Sequence, residues 1–170
     1  MMKIIYVAIG GNLIPDGYNS LYEGLEAAIK MLPAYGCPVQ KVSSYYITAP
    51  VPASDQPDYL NAVLMCTTEL SAAETLANLH KIESQFGRVR SVRNAARVLD
   101  LDLIDYDGEV FDSNNLQIPH PRMQDRAFVL YPLFDVAPSW QHPQTGLDVA
   151  TLIAQLPEGQ SIRRKADEAG

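Results

Sequence analysis

Asp100 and Asp102, in Arg97-Val-Leu-Asp100-Leu-Asp102-Leu-Ile, are the most chemically informative pair in the chain. Side chains alternate along an extended segment, so Leu99, Leu101 and Leu103 face one way and the two aspartates face the other. Carboxylates about 7 Å apart at their Cα atoms repel each other unless a cation lies between them. Two acidic groups with open space beside them suit Mg²⁺ held jointly with substrate phosphates. A polar strand face in water, or ion pairing with the preceding arginines, accounts for the same spacing.

Those arginines are the second signal. Arg88, Arg90, Arg93 and Arg97 fall within ten residues and Arg122 and Arg126 follow, so six of the 13 Lys and Arg residues crowd into two stretches that contain no lysine. A guanidinium is a planar, permanently charged fork matched to phosphate oxygens. Beside Asp-x-Asp, the cluster suggests a triphosphate bridged by metal and guanidinium groups; a solvated loop that neutralises nearby acids is the alternative.

Three further positions stand out. On a helical wheel Glu83 falls amid Leu76, Leu79 and Phe86, so its carboxylate is paired, leaves the core at the helix end, or meets a ligand. Tyr59 and Asn61 share a strand face, a ring beside an amide, which is how a flat hydrogen-bonding heterocycle is held, although ordinary strand-entry residues look the same. His120 sits in the stiff segment Ile118-Pro119-His120-Pro121-Arg122, near Arg126 and Phe128. Neither a Gly-x-x-x-x-Gly-Lys loop nor Gly-x-Gly-x-x-Gly occurs, so a nucleotide would be held by arginines and metal rather than by a glycine-rich loop. Cys/His spacing of the zinc type is also missing.

The elements that must position these groups are legible from periodicity. Residues 3–9 read as a buried strand ending in Gly10-Gly11-Asn12. Ser20-Leu-Tyr-Glu23 is a capping box for a helix that Pro33 stops. Residues 39–48 read as one strand, 49–57 as a Pro-stiffened loop and 58–68 as a third strand. Ser71-Ala-Ala-Glu74 opens a helix to about Phe86, closed by Gly87. Residues 98–106 form a fourth strand that Asp107-Gly108 turns back into 109–111. Beyond Pro119 the pattern supports only an amphipathic helix over 148–156, and the end of the chain reads as frayed. The order β-α-β-β-α-β predicts an α+β fold: a ferredoxin-like antiparallel sheet with helices packed on it and an extra hairpin, over a single domain of residues 1–160 with a tail of 161–170.

Composition bounds the function. The chain has 170 residues, 13 Lys and Arg against 20 Asp and Glu, a net charge of −7 and 47% hydrophobic residues. The acidic balance argues against a nucleic-acid partner or a membrane surface. No apolar run is long enough to span a bilayer, and the expected location is the cytoplasm, where Cys37 and Cys66 stay reduced.

Six stretches occur in order: Ala8-Ile-Gly-Gly-Asn-Leu13, Ser43-Ser-Tyr-Tyr-Ile-Thr48, Asp55-Gln-Pro-Asp-Tyr-Leu-Asn-Ala62, Ile82-Glu83 with Gly87-Arg-Val-Arg90, Arg97-Val-Leu-Asp-Leu-Asp-Leu-Ile104, and Ile118-Pro-His120 with Arg126. Together they resemble hydroxymethyl-dihydropterin pyrophosphokinase of folate biosynthesis, over about residues 3–156. The resemblance implies transfer of pyrophosphate from MgATP to a pterin hydroxymethyl group, with release of AMP, by a monomer that binds small molecules. It implies two Mg²⁺ ions on Asp100 and Asp102, with Arg90 and Arg97 also catalytic. The pterin contacts would be Thr48, Val51, Tyr59, Asn61 and Phe128. Those to ATP would be Glu83, Arg90, Arg93, Arg97, Leu103, His120 and Arg126. Arg93-Asn-Ala-Ala-Arg97 departs from the Arg-Trp-Gly-Pro-Arg of many members, and the only tryptophan, Trp140, lies far from it. Two other readings compete: a ferredoxin-like module that binds RNA or nucleotide without turnover, and a Mg²⁺-dependent phosphohydrolase, which would leave Tyr59, Asn61 and Phe128 without a purpose.

Overall fold

β1 (Lys3–Gly11) is apolar on both faces, with Ile5, Val7 and Ile9 in one core layer and Ala8 in the other. In the computed structural model, which describes residues 1–50, 54–87 and 98–166, β1 lies between β4 (Tyr59–Thr68) and β5 (Asp100–Tyr106), antiparallel to both. β2 (Val39–Val42) and β3 (Tyr46–Thr48) pair with the other edge of β4, and with β8 (Ile162–Arg164) the sheet runs β5-β1-β4-β3-β8, β2 lying beside β4. This antiparallel order is the ferredoxin-like α+β closure expected of the sequence.

Helices cover both faces. α1 (Leu21–Met31) and α2 (Ala72–Gln85) bury Leu25, Ile29, Leu79 and Ile82 against Ile5, Val7, Leu64 and Leu101. α2 starts at the full Ser71–Glu74 capping box and ends at Gly87, whose φ of +83° is the left-handed stop predicted for it. At α1 the box is displaced: Ser20 accepts the Glu23 amide, while the Glu23 carboxylate reaches past Ser20 to the Asn19 amide. On the opposite face α3 (Ala127–Val136) and α4 (Val149–Ala154) pack Val129, Leu130, Leu133 and Leu152 against Ala8, Val63 and Ile104.

Four expectations need correction. The strand predicted over 39–48 is two strands, because the Ser43 hydroxyl accepts the Val63 amide at 2.9 Å and takes over a ladder position from the backbone. α3, which the sequence reading beyond Pro119 did not include, holds Pro132 in its interior, and burial on β4 carries the helix through it. Asp107 and Gly108 do turn the chain, with φ of +52° and +71°, but only Tyr106 and Glu109 bridge there. The extra hairpin is instead β6 (Phe111–Ser113) with β7 (Leu116–Ile118). Lastly, the end expected to fray forms β8 (Ile162–Arg164), paired with β3. Arg164 bonds Asp135 and Tyr46, and the Lys165 ammonium lies 5.3 Å from the Tyr22 ring centroid.

Candidate active site

Sheet register sets the geometry. Gly10 stands opposite Asp100 on β5 and opposite Asn61 on β4, and Ala8 stands opposite Asp102. Cross-strand partners share a face, so Asp100, Gly10 and Asn61 form one row with the glycine as a gap between a carboxylate and an amide. A Cβ on Gly10 would overlap Asn61 Oδ1, so a larger residue in this row would displace the Asn61 amide from its place. The next row sets Thr48 opposite Tyr59, and the Asn61 amide donates to the Thr48 hydroxyl at 2.7 Å, both side chains being buried.

These rows form the floor of a cavity of about 870 Å³. It brings together Thr48, Tyr59, Asn61, Asp100, Asp102, Arg126 and Phe128 from the predicted site. Its roof comes from the segment entering α3 and its far wall from residues 157–160. Asn12 supports the near wall by donating to Gln56 Oε1 at 3.2 Å and to the Pro57 carbonyl at 3.1 Å. A second cavity, about 280 Å³, lies between β5 and the β6–β7 ribbon and is lined by Leu76, Asp102, Leu103, Asn115, Ile118 and His120 among others. Asp102 lines both cavities.

Carboxylates and guanidinium groups meet where the cavities join, Asp100, Asp102 and Asp125 against Arg122 and Arg126. Burial first, then Arg126 and, less, Arg122, against the opposing pull of Asp100, together hold the His120 imidazole down at about 4. His120 is therefore neutral at pH 7. Burial, followed by Arg122, also lowers Arg126, against the pull of Asp102, Asp100 and Asp125. Arg126 stays charged while it is partly stripped of water, which strengthens its attraction for phosphate. Its guanidinium carbon lies 5.4 Å from the Phe128 ring centroid. Among the described residues no group of three His, Cys, Asp or Glu side chains converges on a metal position. Two carboxylates opening onto a cavity nonetheless fit Mg²⁺, which keeps several coordination positions for water and phosphate oxygens.

A model of the family described as 7,8-dihydro-6-hydroxymethylpterin-pyrophosphokinase (HPPK) matches residues 6–138. The chain belongs to this family. It is 37% identical over 163 residues to the 2-amino-4-hydroxy-6-hydroxymethyldihydropteridine pyrophosphokinase of Haemophilus influenzae, covering 95% of this chain and 98% of that one. The protein of the same name from Pseudomonas aeruginosa is 38% identical over 157 residues, covering 92% and 94%. The chain also matches the folic acid synthesis protein FOL1 of Dictyostelium discoideum at 33% identity, spanning 94% of itself but only 23% of that longer protein. Among solved structures, wild-type HPPK-DHPS of Plasmodium falciparum with pteroate superposes with a TM-score of 0.69 at 12% identity, covering 91% of this chain and 42% of that one, a likeness of fold.

Within this pyrophosphokinase fold some predicted residues fall outside the two cavities. Glu83 is 1% exposed on the α1/α2 side of the sheet and lines neither; its carboxylate accepts the Leu101 amide at 2.8 Å. Val51, Arg90, Arg93 and Arg97 lie outside the described residues. Sequence reasoning missed Gln56, Leu76, the ribbon residues 114–117 and the wall at 157–160. Arg122 carried a signal, as a member of the arginine cluster, and it lines the larger cavity. Gln56 also carried one, as part of the Asp55–Ala62 stretch; the others carried none, because only the tertiary fold brings them there.

Proposed function

We propose that this chain is the pyrophosphokinase of folate biosynthesis, transferring pyrophosphate from ATP to the hydroxymethyl group of 6-hydroxymethyl-7,8-dihydropterin and releasing AMP. The observation that carries this reading is the position of Asp102, which belongs to a cavity with an aromatic and amide lining and also to a smaller one beside His120. Two substrates seated in adjoining cavities would meet at that carboxylate.

The larger cavity suits the pterin. Tyr59 and Phe128 would stack on its two faces, and Asn61 and Thr48, already bonded to each other, would read its polar edge. Val51 joins this group by resemblance alone. The smaller cavity suits the base and sugar of ATP, against Leu103 and His120. The triphosphate would then run past Asp102 toward Arg126, with Arg90, Arg93 and Arg97 as further clamps by resemblance. Asp100 and Asp102 would hold Mg²⁺, two ions by resemblance, which would supply charge neutralisation and lower the pKa of a coordinated hydroxyl.

The work left to the chain is positional. The substrate hydroxyl must approach the β-phosphorus in line with the departing AMP oxygen, and stacking fixes that approach by holding the ring plane. In neutral His120 the Nδ1 accepts the Arg122 backbone N–H at 3.3 Å, which leaves the Nε2–H to donate to the nucleotide. Arg126, partly desolvated, offsets charge that grows on the phosphate oxygens.

The test measures AMP formed from MgATP with and without 6-hydroxymethyl-7,8-dihydropterin. Pterin-dependent AMP with matching pterin diphosphate is the expected result. Nucleotide turnover independent of the pterin would indicate hydrolysis, and binding without turnover would indicate a module; either overturns the proposal.

A further inference from the structure

Arg126 and Phe128 enter the larger cavity from the start of α3, yet Arg126, the residue at the N-cap, makes no side-chain cap there. The cap arrives from far along the chain. Gln160 Oε1 accepts the Ala127 amide at 2.9 Å, and Gln160 Nε2 donates to the Asp125 carbonyl at 2.8 Å, with a longer bond of 3.5 Å to the Pro157 carbonyl. One primary amide therefore bridges a backbone donor and a backbone acceptor on either side of Arg126. A primary amide presents an acceptor and a donor from one planar end; a carboxylate lacks the donor, and a thioether has no donor and only a weak acceptor.

The same short segment grips the opposite wall. Immediately after Gln160, the Ser161 carbonyl accepts the Ala49 amide at 3.3 Å and Ile162 pairs with Thr48. Beyond it, the Lys165 amide donates to the Tyr45 carbonyl at 2.7 Å, and Arg164 reaches Tyr46 and Asp135. Gln160 itself lines the cavity. The strand that closes the sheet edge at Thr48 is thus continuous with the amide that fixes the backbone presenting Arg126 and Phe128.

We infer that Gln160 is a positioning residue for pterin binding: it sets the distance between the Thr48/Asn61 edge and the Phe128 ring by bonding Asp125 and Ala127. The inference rests on the pyrophosphokinase reading, because it concerns how that site holds its heterocycle. Without the bridge, the Ala127 amide and the Asp125 carbonyl turn to water, the first turn of α3 loosens, and the ring loses its fixed place above the sheet.

Two variants of the full chain test this. Q160M keeps the length and removes both bonds; Q160E keeps the acceptor for Ala127 and removes the donor. The KM for 6-hydroxymethyl-7,8-dihydropterin is expected to rise about tenfold in Q160M, the scale of one net hydrogen bond. Its kcat should stay within about twofold, and Q160E should fall between parent and Q160M. Amide hydrogen exchange at Ala127 and Phe128 should quicken in Q160M and not in β1 or β4. An unchanged pterin KM overturns the inference, as does a fall in kcat alone, which marks lost folded protein. Should the parent make no pterin-dependent AMP, the proposed activity fails instead. Exchange at Ala127 then still judges the clamp: unchanged protection refutes it, and local loss of protection supports it.

Discussion

The Glu83 carboxylate accepts the backbone N–H of Leu101 at 2.8 Å, between the two aspartates of β5. Glu83 lies in the last turn of α2, so the helix end holds the strand by the peptide that sets the spacing of Asp100 and Asp102. Glu83→Ala leaves a buried amide without this acceptor, at a cost of about 1–3 kcal/mol. Turnover should fall and the Mg²⁺ requirement shift upward, while the pterin KM stays near the parent value. Glu83→Gln retains an acceptor oxygen and should recover most of both. Chemical denaturation and a Mg²⁺ titration of AMP release check this; equal Mg²⁺ dependence in parent and E83A would count against it.

This pair also marks how far the sequence can be read. The alternation of Leu99, Leu101 and Leu103 against Asp100 and Asp102 is local, and the observed strand keeps it, with the leucines in the core and the aspartates on the cavity. Glu83 was visible as an anomaly on an apolar stripe, but periodicity does not say whether a buried carboxylate meets a ligand or an amide 18 residues away. The helix around Pro132 was hidden because a local breaker was overridden by burial against β4. The wall at Gln160 was hidden because its bonds span more than 30 residues and no spacing within the segment announces them. Fold class and the alternation that sets the aspartates on the cavity were thus legible where neighbours in sequence are neighbours in space.

Asp102 lines both cavities, so its removal should affect chemistry more than binding of either substrate. Asp102→Ala should lower kcat by about a thousandfold, in the range found for loss of one preorganised electrostatic contact. Pterin affinity, followed by its fluorescence, should change less than about threefold. Asp100→Ala should behave similarly with a smaller loss. An Asp102→Ala protein that turned over normally would remove the carboxylate from the mechanism.

The Gly10 row gives a sharper geometric prediction. A methyl group there overlaps Asn61 Oδ1 and stands 3.2 Å from the Leu60 carbonyl, so Asn61 must rotate away from Thr48. Gly10→Ala should cost about 1–3 kcal/mol in stability, the usual penalty for overpacking. It should raise the pterin KM at least about tenfold, with the ATP KM nearly unchanged. Steady-state kinetics with each substrate varied in turn check the asymmetry; equal rises in both KM values would contradict it.

His120 makes stability depend on pH in a defined window. Burial, with Arg126 and Arg122 adding to it, pushes its folded value down to about 4, below the ordinary value of about 6.5. Above pH 6.5 the imidazole is neutral in both folded and unfolded chains and contributes nothing to the difference. As pH falls from about 6.5 to about 4, the unfolded chain takes up a proton that the folded chain refuses, and stability is lost. Below about 4 both states are protonated and the loss levels off. His120→Asn removes the group from both states, so the variant should lose less Tm than the parent between pH 7 and pH 4.5. Thermal unfolding at a series of pH values checks this, and parallel curves for the two proteins would contradict the burial of a neutral imidazole. A triphosphate running toward Arg126 would offset the charges of Arg122 and Arg126 that hold the His120 imidazole down, so ATP binding near pH 5 should draw in protons, which calorimetry in buffers of differing ionisation enthalpy detects.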